Sequence, residues 1–434
     1  MNEKTLEKSI SVLGSAVLAA AFFLWCANSG YGAAGYLAAI VSALLMLWLC
    51  LKFVPVLCAF LRTPERELRP VQAAVGVCGK IFAAILLWDV TILALGFVLR
   101  RALGFGESVG EYFDFWLCTD SRHYMDIARD WYLSEGSIDR LVQLVFLPGY
   151  PIAVRAVSYL TGSILSAGLV VSALSFAGAG CVLYKLLALD MDEEAARRAV
   201  CFFALSPASF FFAAPMSESL FMLCSLLSLY LMRRGRTVPS VLFGAYAAFT
   251  RSLGVILLVP LALELIRRRA RVREYLALAV VPLGFAAYCL INYEVSGDAF
   301  KFMYYQSSHW GQRLGWFFNT AAYQTENLLS SPVDRVLGLW LPNVLAQLIA
   351  LALVIAAAKK LRASYTAHFI AYFVVAVGAT WLLSAPRYLA AAPAIPAALG
   401  LLTDKNESRF MTAALSFAAF LAYFVPFLLR WQVW

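Results

Sequence analysis

Charged side chains are scarce in this chain: Asp, Glu, Lys and Arg make up 14% of its 434 residues, against about a quarter in a soluble domain. Histidine is rarer still, with three residues. The nine cysteines form no CxxC pair and have no histidine neighbours, and most lie inside apolar runs. These shortages exclude an ordinary soluble domain, a disulfide-stapled module and a cysteine-rich metal site.

Apolar residues make up 62% of the chain, and its mean hydropathy is +0.77. A helix needs about 20 such residues to cross a bilayer. The runs that qualify are 9–27, 36–60, 74–99, 163–188, 196–213, 216–232, 274–292, 335–357, 363–383, 386–402 and 409–429, with 238–266 as either one long or two short crossings. An all-α polytopic membrane protein is therefore predicted.

Arginine clusters at 233–236 and 267–273 flank the ambiguous stretch 238–266. Cytoplasmic loops carry the excess of Lys and Arg, so both clusters are predicted to lie inside. Two crossings must then join them, with the break at Arg251 outside, which gives about 13 spans. On this interpretation the net charge of +9 reports membrane orientation, and nucleic acid is not predicted as a partner.

The chain is predicted to form one integral membrane domain, 1–434. Within it we distinguish N-terminal helices, 1–73; a core module, 74–292, with a long outer loop at 100–147; a second outer loop, 293–334; and C-terminal helices, 335–434. Both loops mix aromatic residues with charges, which is typical of helices lying in the headgroup layer.

The first loop contains the most suggestive helix, near 120–131. Its apolar positions 124, 127, 128 and 131 have helical spacing, so we expect an interfacial helix with this face toward lipid. Asp120 and His123 would share another face. A carboxylate beside an imidazole can accept a proton, be oriented, or hold a metal together with Asp126, or both can simply solvate the surface. A divalent metal is therefore possible but is not predicted.

Other polar residues fall on the same predicted outer face. The segment 146–151, FLPGYP, is either part of a site or the turn that starts a helix. Glu218 suits the first turn of a helix. Arg251 and Arg387 end short apolar helices, where an arginine either pairs with a phosphate or snorkels to the headgroups. His309 lies in the second loop, and Asp89 lies in the middle of a predicted span without an assigned role.

Several short motifs together resemble a known family. In chain order they are TDSRHY at 119–124 followed by IA at 127–128, FLPGYP at 146–151, SPAS at 206–209, SESLF at 217–221, TRSLG at 250–254 and PRYL at 386–389. They resemble the WDxxHF, IA, FFPxxP, NPAS, SESLF, TRSNG and PRYL motifs of the PIG-V family, the GPI mannosyltransferase 2-like enzymes and their bacterial relatives. Thr119 and Leu147 depart from the pattern, and neither change removes a titratable group.

The resemblance implies a GT-C glycosyltransferase that moves a hexose, mannose in the eukaryotic family, from a polyprenyl-phosphate donor with inversion. Asp120 would be the base, His123 would orient it or bind phosphate, and Arg251 with Arg387 would bind the donor phosphate. The residues expected to contact substrate are Arg122, Pro148, Tyr150, Ser217, Glu218, His309 and Tyr388.

The expected partners are a polyprenyl-phosphate sugar donor, a glycan or glycolipid acceptor and the bilayer. The expected location is a bacterial plasma membrane, with the site on the extracytoplasmic face. A lipid transporter or flippase is the main alternative; it predicts repeated halves and polar groups at the membrane midplane. An inactive subunit of an envelope-building complex is a third hypothesis.

Overall fold

The computed structural model describes residues 3–63, 75–133, 142–380 and 382–433. The boundary between the predicted 1–73 and 74–292 segments, and 134–141 of the predicted loop 100–147, lie outside these residues. The described helices, in chain order, are α1 (Glu3–Asn28), α2 (Ala33–Arg62), α3 (Val75–Ala102), α4 (Val109–Phe115), α5 (Asp120–Asp130), α6 (Gly149–Thr161), α7 (Ile164–Leu187), α8 (Glu193–Ala204), α9 (Phe210–Ala213), α10 (Glu218–Arg233), α11 (Thr237–Thr250), α12 (Leu258–Arg267), α13 (Val272–Ser296), α14 (Lys301–Trp310), α15 (Phe317–Ser330), α16 (Val333–Ala357), α17 (Ala363–Gly378), α18 (Ala385–Ala390), α19 (Ala394–Leu402) and α20 (Asn406–Leu428).

Seven of the described helices are long and apolar enough to cross a membrane: α1, α2, α3, α7, α13, α16 and α20. This confirms the all-α polytopic membrane class, whereas the count of 13 spans stays a prediction. Two predicted spans, 196–213 and 386–402, are each divided into two shorter helices. Pro207 and Pro393 lie at the breaks, because proline lacks the N–H that a continuing helix needs.

The second predicted loop, 293–334, is part of the helical bundle. Its helix α15 packs along α2. Beside this contact, Trp25 Nε1 of α1 donates to Asn319 Oδ1 at 2.9 Å, and Tyr31 Oη, from the chain between α1 and α2, donates to the same oxygen at 3.0 Å. One face of α15 is therefore covered by protein, and the location of this loop in the headgroup layer stays a prediction.

Helix α5 forms where the apolar spacing predicted it, but its apolar face does not meet lipid. Tyr124, Ile127 and Ala128 are buried where α5 packs against α6 and α7. Thr119 and Trp131, which bound the helix, both have positive φ, at 51° and 63°. Such values are uncommon outside glycine and turn the chain sharply into and out of α5. The lipid-facing orientation was wrong because periodicity identifies an apolar face without saying what covers it.

Helix α10 connects two polar centres of the bundle. It packs between α7 and α11 and, over 16 residues from Glu218 to Arg233, rises by about 24 Å. At its C-terminal end Arg233 binds Asp190, with N···O 2.6 Å. Arg362 binds Glu264 at 2.7 Å and Asp190 at 3.2 Å. These ion pairs tie the ends of α10, α12 and α17 to the loop after α7.

Replacing Asp190 by Asn is expected to lower the free energy of unfolding at pH 7 by about 1.5–3 kcal/mol, since charge-assisted hydrogen bonds are lost. Burial alone would raise the pKa of Asp190, but Arg233 and Arg362 hold that pKa below its ordinary value of 3.8. The charged carboxylate therefore stabilises the fold above pH 3.8, and this stabilisation disappears as the pH falls through the lowered pKa.

Thermal unfolding of the detergent-solubilised protein between pH 7 and pH 3 measures this effect. The difference in unfolding free energy between wild type and Asp190→Asn should be largest at pH 7 and should shrink below about pH 4. Glu193→Gln is the matched control, because Glu193 binds Arg197 in an exposed pair on α8 that contributes little to stability. A difference that is unchanged at pH 3 would contradict the assignment.

Candidate active site

Five segments distant in sequence line a cavity of about 150 Å³. They are α5, the turn before α6, the end of α11 with the chain after it, α14 with nearby Gln312, and α18 with the chain before it. The lining side chains are Asp120, Tyr124, Val145, Phe146, Leu147, Thr250, Arg251, Ser252, Leu253, Gln306, Trp310, Gln312, Leu383, Ser384, Arg387 and Tyr388. The structure thus brings together four of the residues singled out from sequence: Asp120, Arg251, Arg387 and Tyr388.

The two arginines of the cavity are joined through acids. Arg387 Nη2 lies 2.7 Å from Asp120 Oδ2, and Arg387 Nε donates to Glu218 Oε1 at 2.5 Å. Arg251 Nη1 donates to the same Glu218 oxygen. Two positive and two negative groups therefore balance, as buried charges require. Glu218 is only 1% exposed, whereas the Asp120 side chain is 32% exposed and reaches the cavity.

Ser217 also helps to position Arg251. Arg251 Nη1 donates to Ser217 Oγ at 3.0 Å, and the Tyr124 hydroxyl lies 2.9 Å from that oxygen. Burial raises the pKa of Tyr124 well above its ordinary value, so the phenol stays protonated. The Arg251 guanidinium carbon also lies 4.7 Å from the centre of the Tyr388 ring. Ser217 and Glu218 were expected to contact substrate, but the structure places them beneath the arginines, outside the cavity lining.

The chain that carries Arg387 is held by three side chains from other helices. Asn343 Oδ1 accepts from the Ala385 amide at 2.5 Å, and Gln324 Nε2 donates to the Leu382 carbonyl at 2.7 Å. The Tyr372 hydroxyl donates to the Tyr388 carbonyl at 3.0 Å. These bonds satisfy the backbone of a short, proline-interrupted segment and so fix the position of Arg387.

The segment 146–151 is the turn that starts α6. A Cβ at Gly149 would lie 2.9 Å from Thr250 Cα, so glycine permits this turn to lie against the chain carrying Arg251. Tyr150 is fully buried, and its hydroxyl donates to the Gly168 carbonyl at 2.8 Å. Pro148 precedes the first turn of α6. Neither Pro148 nor Tyr150 lines the cavity, although both were expected to contact substrate.

Three more of the expected site residues lie outside the cavity lining. Arg122 is exposed on α5. The His123 ring stacks on Phe146, with ring centres 4.7 Å apart. His309 is exposed and forms a hydrogen bond with Ser308 Oγ at 3.0 Å. Among the described residues, no three His, Cys, Asp or Glu side chains are grouped as a metal site would require.

Sequence reasoning missed three cavity residues in the second predicted loop: Gln306, Trp310 and Gln312. Gln306 and Trp310 are four residues apart on α14 and therefore share a face. His309, the histidine of this helix, is exposed and does not line the cavity. The helical period was the signal that would have found Gln306 beside Trp310.

The segment that supplies Asp120, Glu218 and Arg251 can be compared with known families. Residues 105–281 match the family described as Mannosyltransferase (PIG-V). The PIG-V resemblance expected from the motifs at 119–124 and 250–254 is thus confirmed. With seven apolar helices among its described residues, the protein is an integral multi-pass membrane protein.

A curated human relative (Homo sapiens), GPI alpha-1,6-mannosyltransferase 2, is 32% identical over 149 residues. The match covers 32% of this chain and 29% of the relative, so the chain spans less than a third of that protein's length. Arg387, Tyr388 and the cavity residues of α14 lie beyond the segment 105–281 that matches PIG-V.

Proposed function

We propose that this protein is a membrane glycosyltransferase that moves mannose from a polyprenyl-phosphate donor to a glycan or glycolipid acceptor, with inversion. The observation that carries this proposal is the meeting of Asp120, Arg251 and Arg387 in one cavity, with Asp120 and Arg251 supplied by the segment that matches mannosyltransferases. The name of the human relative supports mannose as the sugar.

The cavity residues suit the chemistry of this transfer. An acceptor hydroxyl oxygen attacks the anomeric carbon from the face opposite the phosphate, while the bond from that carbon to the phosphate oxygen breaks. The phosphate leaves with the bonding electrons, and the hydroxyl proton passes to the Asp120 carboxylate. Arg251 and Arg387 stabilise the negative charge that develops on the leaving phosphate. The cavity thus offers cations to the leaving phosphate and a proton acceptor to the attacking hydroxyl.

The contact between Arg387 and Asp120 links donor binding to the base. Arg387 Nη2 lies 2.7 Å from Asp120 Oδ2, so this guanidinium engages the carboxylate that would take the acceptor proton. A donor phosphate beside Arg387 competes for the same guanidinium, whose planar fork suits phosphate oxygens. Asp120 then turns from Arg387 to the acceptor hydroxyl only when a donor is bound.

The geometry of α10 supports a site on the extracytoplasmic face. Glu218 lies at the cavity end of this helix, and Arg233 lies at the opposite end, about 24 Å away. Arg233 begins the arginine cluster 233–236, and such clusters mark the cytoplasmic side. A lipid-linked donor fits this location, because its isoprenoid chain stays in the bilayer while its phosphate reaches the headgroup layer.

Sealed membrane vesicles of both orientations test the proposal. Polyprenyl-phosphate mannose and the corresponding glucose and arabinose donors, each labelled in the sugar, are supplied with membrane acceptors, and the labelled product is identified. We expect mannose transfer, and transfer to an impermeant acceptor only where the extracytoplasmic face is accessible. Accumulation of labelled lipid across the membrane without a product would favour the transporter instead.

A further inference from the structure

The cavity has two chemically different sides. One is the charged wall, formed by Asp120, Arg251 and Arg387. The other is formed by Gln306, Trp310 and Gln312, here called the neutral wall. The charged wall matches a phosphate and a reacting hydroxyl, whereas the neutral wall has no charge to offer either of them.

The neutral wall is held in place on its aromatic side. The Trp310 ring meets the Phe146 ring edge to face, with centres 6.1 Å apart, and Phe146 in turn packs on Tyr124. Two aromatic contacts therefore connect Trp310 to Tyr124, which shares the Ser217 hydroxyl with Arg251 of the charged wall. The backbone N–H of Gln312 also donates to the backbone carbonyl of Gln306 at 3.0 Å. This bond fixes the two glutamines relative to each other.

A backbone clasp fixes the other side of the neutral wall. Residues 311–315 pair with residues 378–380. The latter lie at the C-terminal end of α17, and the chain continues from there to Arg387. The Gly315 amide donates to the Gly378 carbonyl, and the Thr380 amide donates to the Arg313 carbonyl, both at 2.8 Å. A Cβ at Gly315 would lie 2.9 Å from Thr380 Cγ2, so glycine allows this close pairing. The clasp positions Gln312 over the cavity.

We propose that the neutral wall binds the pyranose ring of an uncharged hexose and sets which hexose the protein accepts. A sugar hydroxyl both donates and accepts hydrogen bonds, and a glutamine amide offers both functions. The Trp310 ring supplies a flat apolar surface for the C–H face of a pyranose. A site built to bind particular hydroxyls discriminates strongly against sugars that place them differently. The inference rests on the proposed transfer, and it assigns specificity to residues outside the segment that matches PIG-V.

Binding of purified protein to two lipids tests the wall without requiring catalysis. The probes are polyprenyl-phosphate mannose and polyprenyl phosphate without sugar. Wild type should bind the sugar-bearing lipid more tightly, and Gln306→Leu or Gln312→Leu should reduce this preference about tenfold, as the loss of a hydrogen bond to the sugar would. Affinity for the bare lipid phosphate should stay within about twofold of wild type. Trp310→Phe should retain most of the preference, and Trp310→Ala should lose it.

Steady-state transfer identifies the source of the hexose. A higher KM for the donor and a lower preference for mannose over glucose in the variants would place the donor sugar on the wall. A higher KM for the acceptor alone would place an acceptor sugar there. Met303→Ala is the matched control, because Met303 is an exposed residue of the same helix and should change neither quantity.

Two results would overturn the inference. One is that variants at all three positions of the neutral wall keep the wild-type preference for the mannose-bearing lipid and the wild-type KM values. The other is an equal loss of affinity for the lipid with and without sugar. Failure of the proposed function is distinguishable: wild type would then transfer no sugar from any donor, while its binding preference for the mannose-bearing lipid would still depend on Gln306 and Gln312.

Discussion

Asp120→Asn is expected to lower the rate of sugar transfer by about 10²–10⁴, the contribution of a positioned general base. The amide has the shape of the carboxylate and still offers an oxygen to Arg387, whose Nη2 lies 2.7 Å from Asp120 Oδ2. It cannot take the proton of the acceptor hydroxyl. Purified variant protein assayed with labelled donor measures the rate, and its thermal unfolding shows whether the fold is intact.

Asp126→Asn provides the matched control for this change. Asp126 lies on the same helix, α5, and its ion pair with the exposed Arg129, at 3.4 Å, is a surface interaction of small energetic value. Transfer by this variant should match wild type. Full activity in Asp120→Asn would remove Asp120 as the base and leave the charged wall with a purely electrostatic role.

The sequence predicts where the helices of this site lie along the chain better than it predicts what each helix packs against. The spacing of Tyr124, Ile127 and Ala128 located α5 correctly, because helical periodicity is a local property. It could not show that α6 and α7, instead of lipid, cover that face. Lipid tails and buried side chains are similarly apolar, so one periodic pattern suits both environments.

The contacts that join the charged wall were beyond local inference. Glu218 binds Arg251, 33 positions later, and Arg387, 169 positions later. The motifs around these residues suggested that each matters, but not that Glu218 holds both guanidiniums. The glutamines were not predicted as site residues because they do not titrate. Gln306 nevertheless lines the cavity, whereas His309 does not.

Arg387→Lys is expected to lower the rate of transfer by about 10²–10³, the range found when one donor to a developing negative charge is removed. Arginine uses Nε toward Glu218 and Nη2 toward Asp120. A lysine ammonium is a single point charge and cannot reproduce this fork. Glu218 remains paired with Arg251 in the variant, so the buried carboxylate keeps a cation and the fold should persist.

Inhibition by bare polyprenyl phosphate separates the role of Arg387 from that of the neutral wall. Since Arg387 is proposed to bind the phosphate, Arg387→Lys should weaken this inhibition, whereas Gln306→Leu should leave it unchanged. Arg197→Lys is the control, because Arg197 lies in an exposed pair on α8. If Arg387→Lys slowed transfer but left inhibition by the lipid phosphate intact, Arg387 would act on Asp120 alone. Arg251 would then be the cation that binds the donor phosphate.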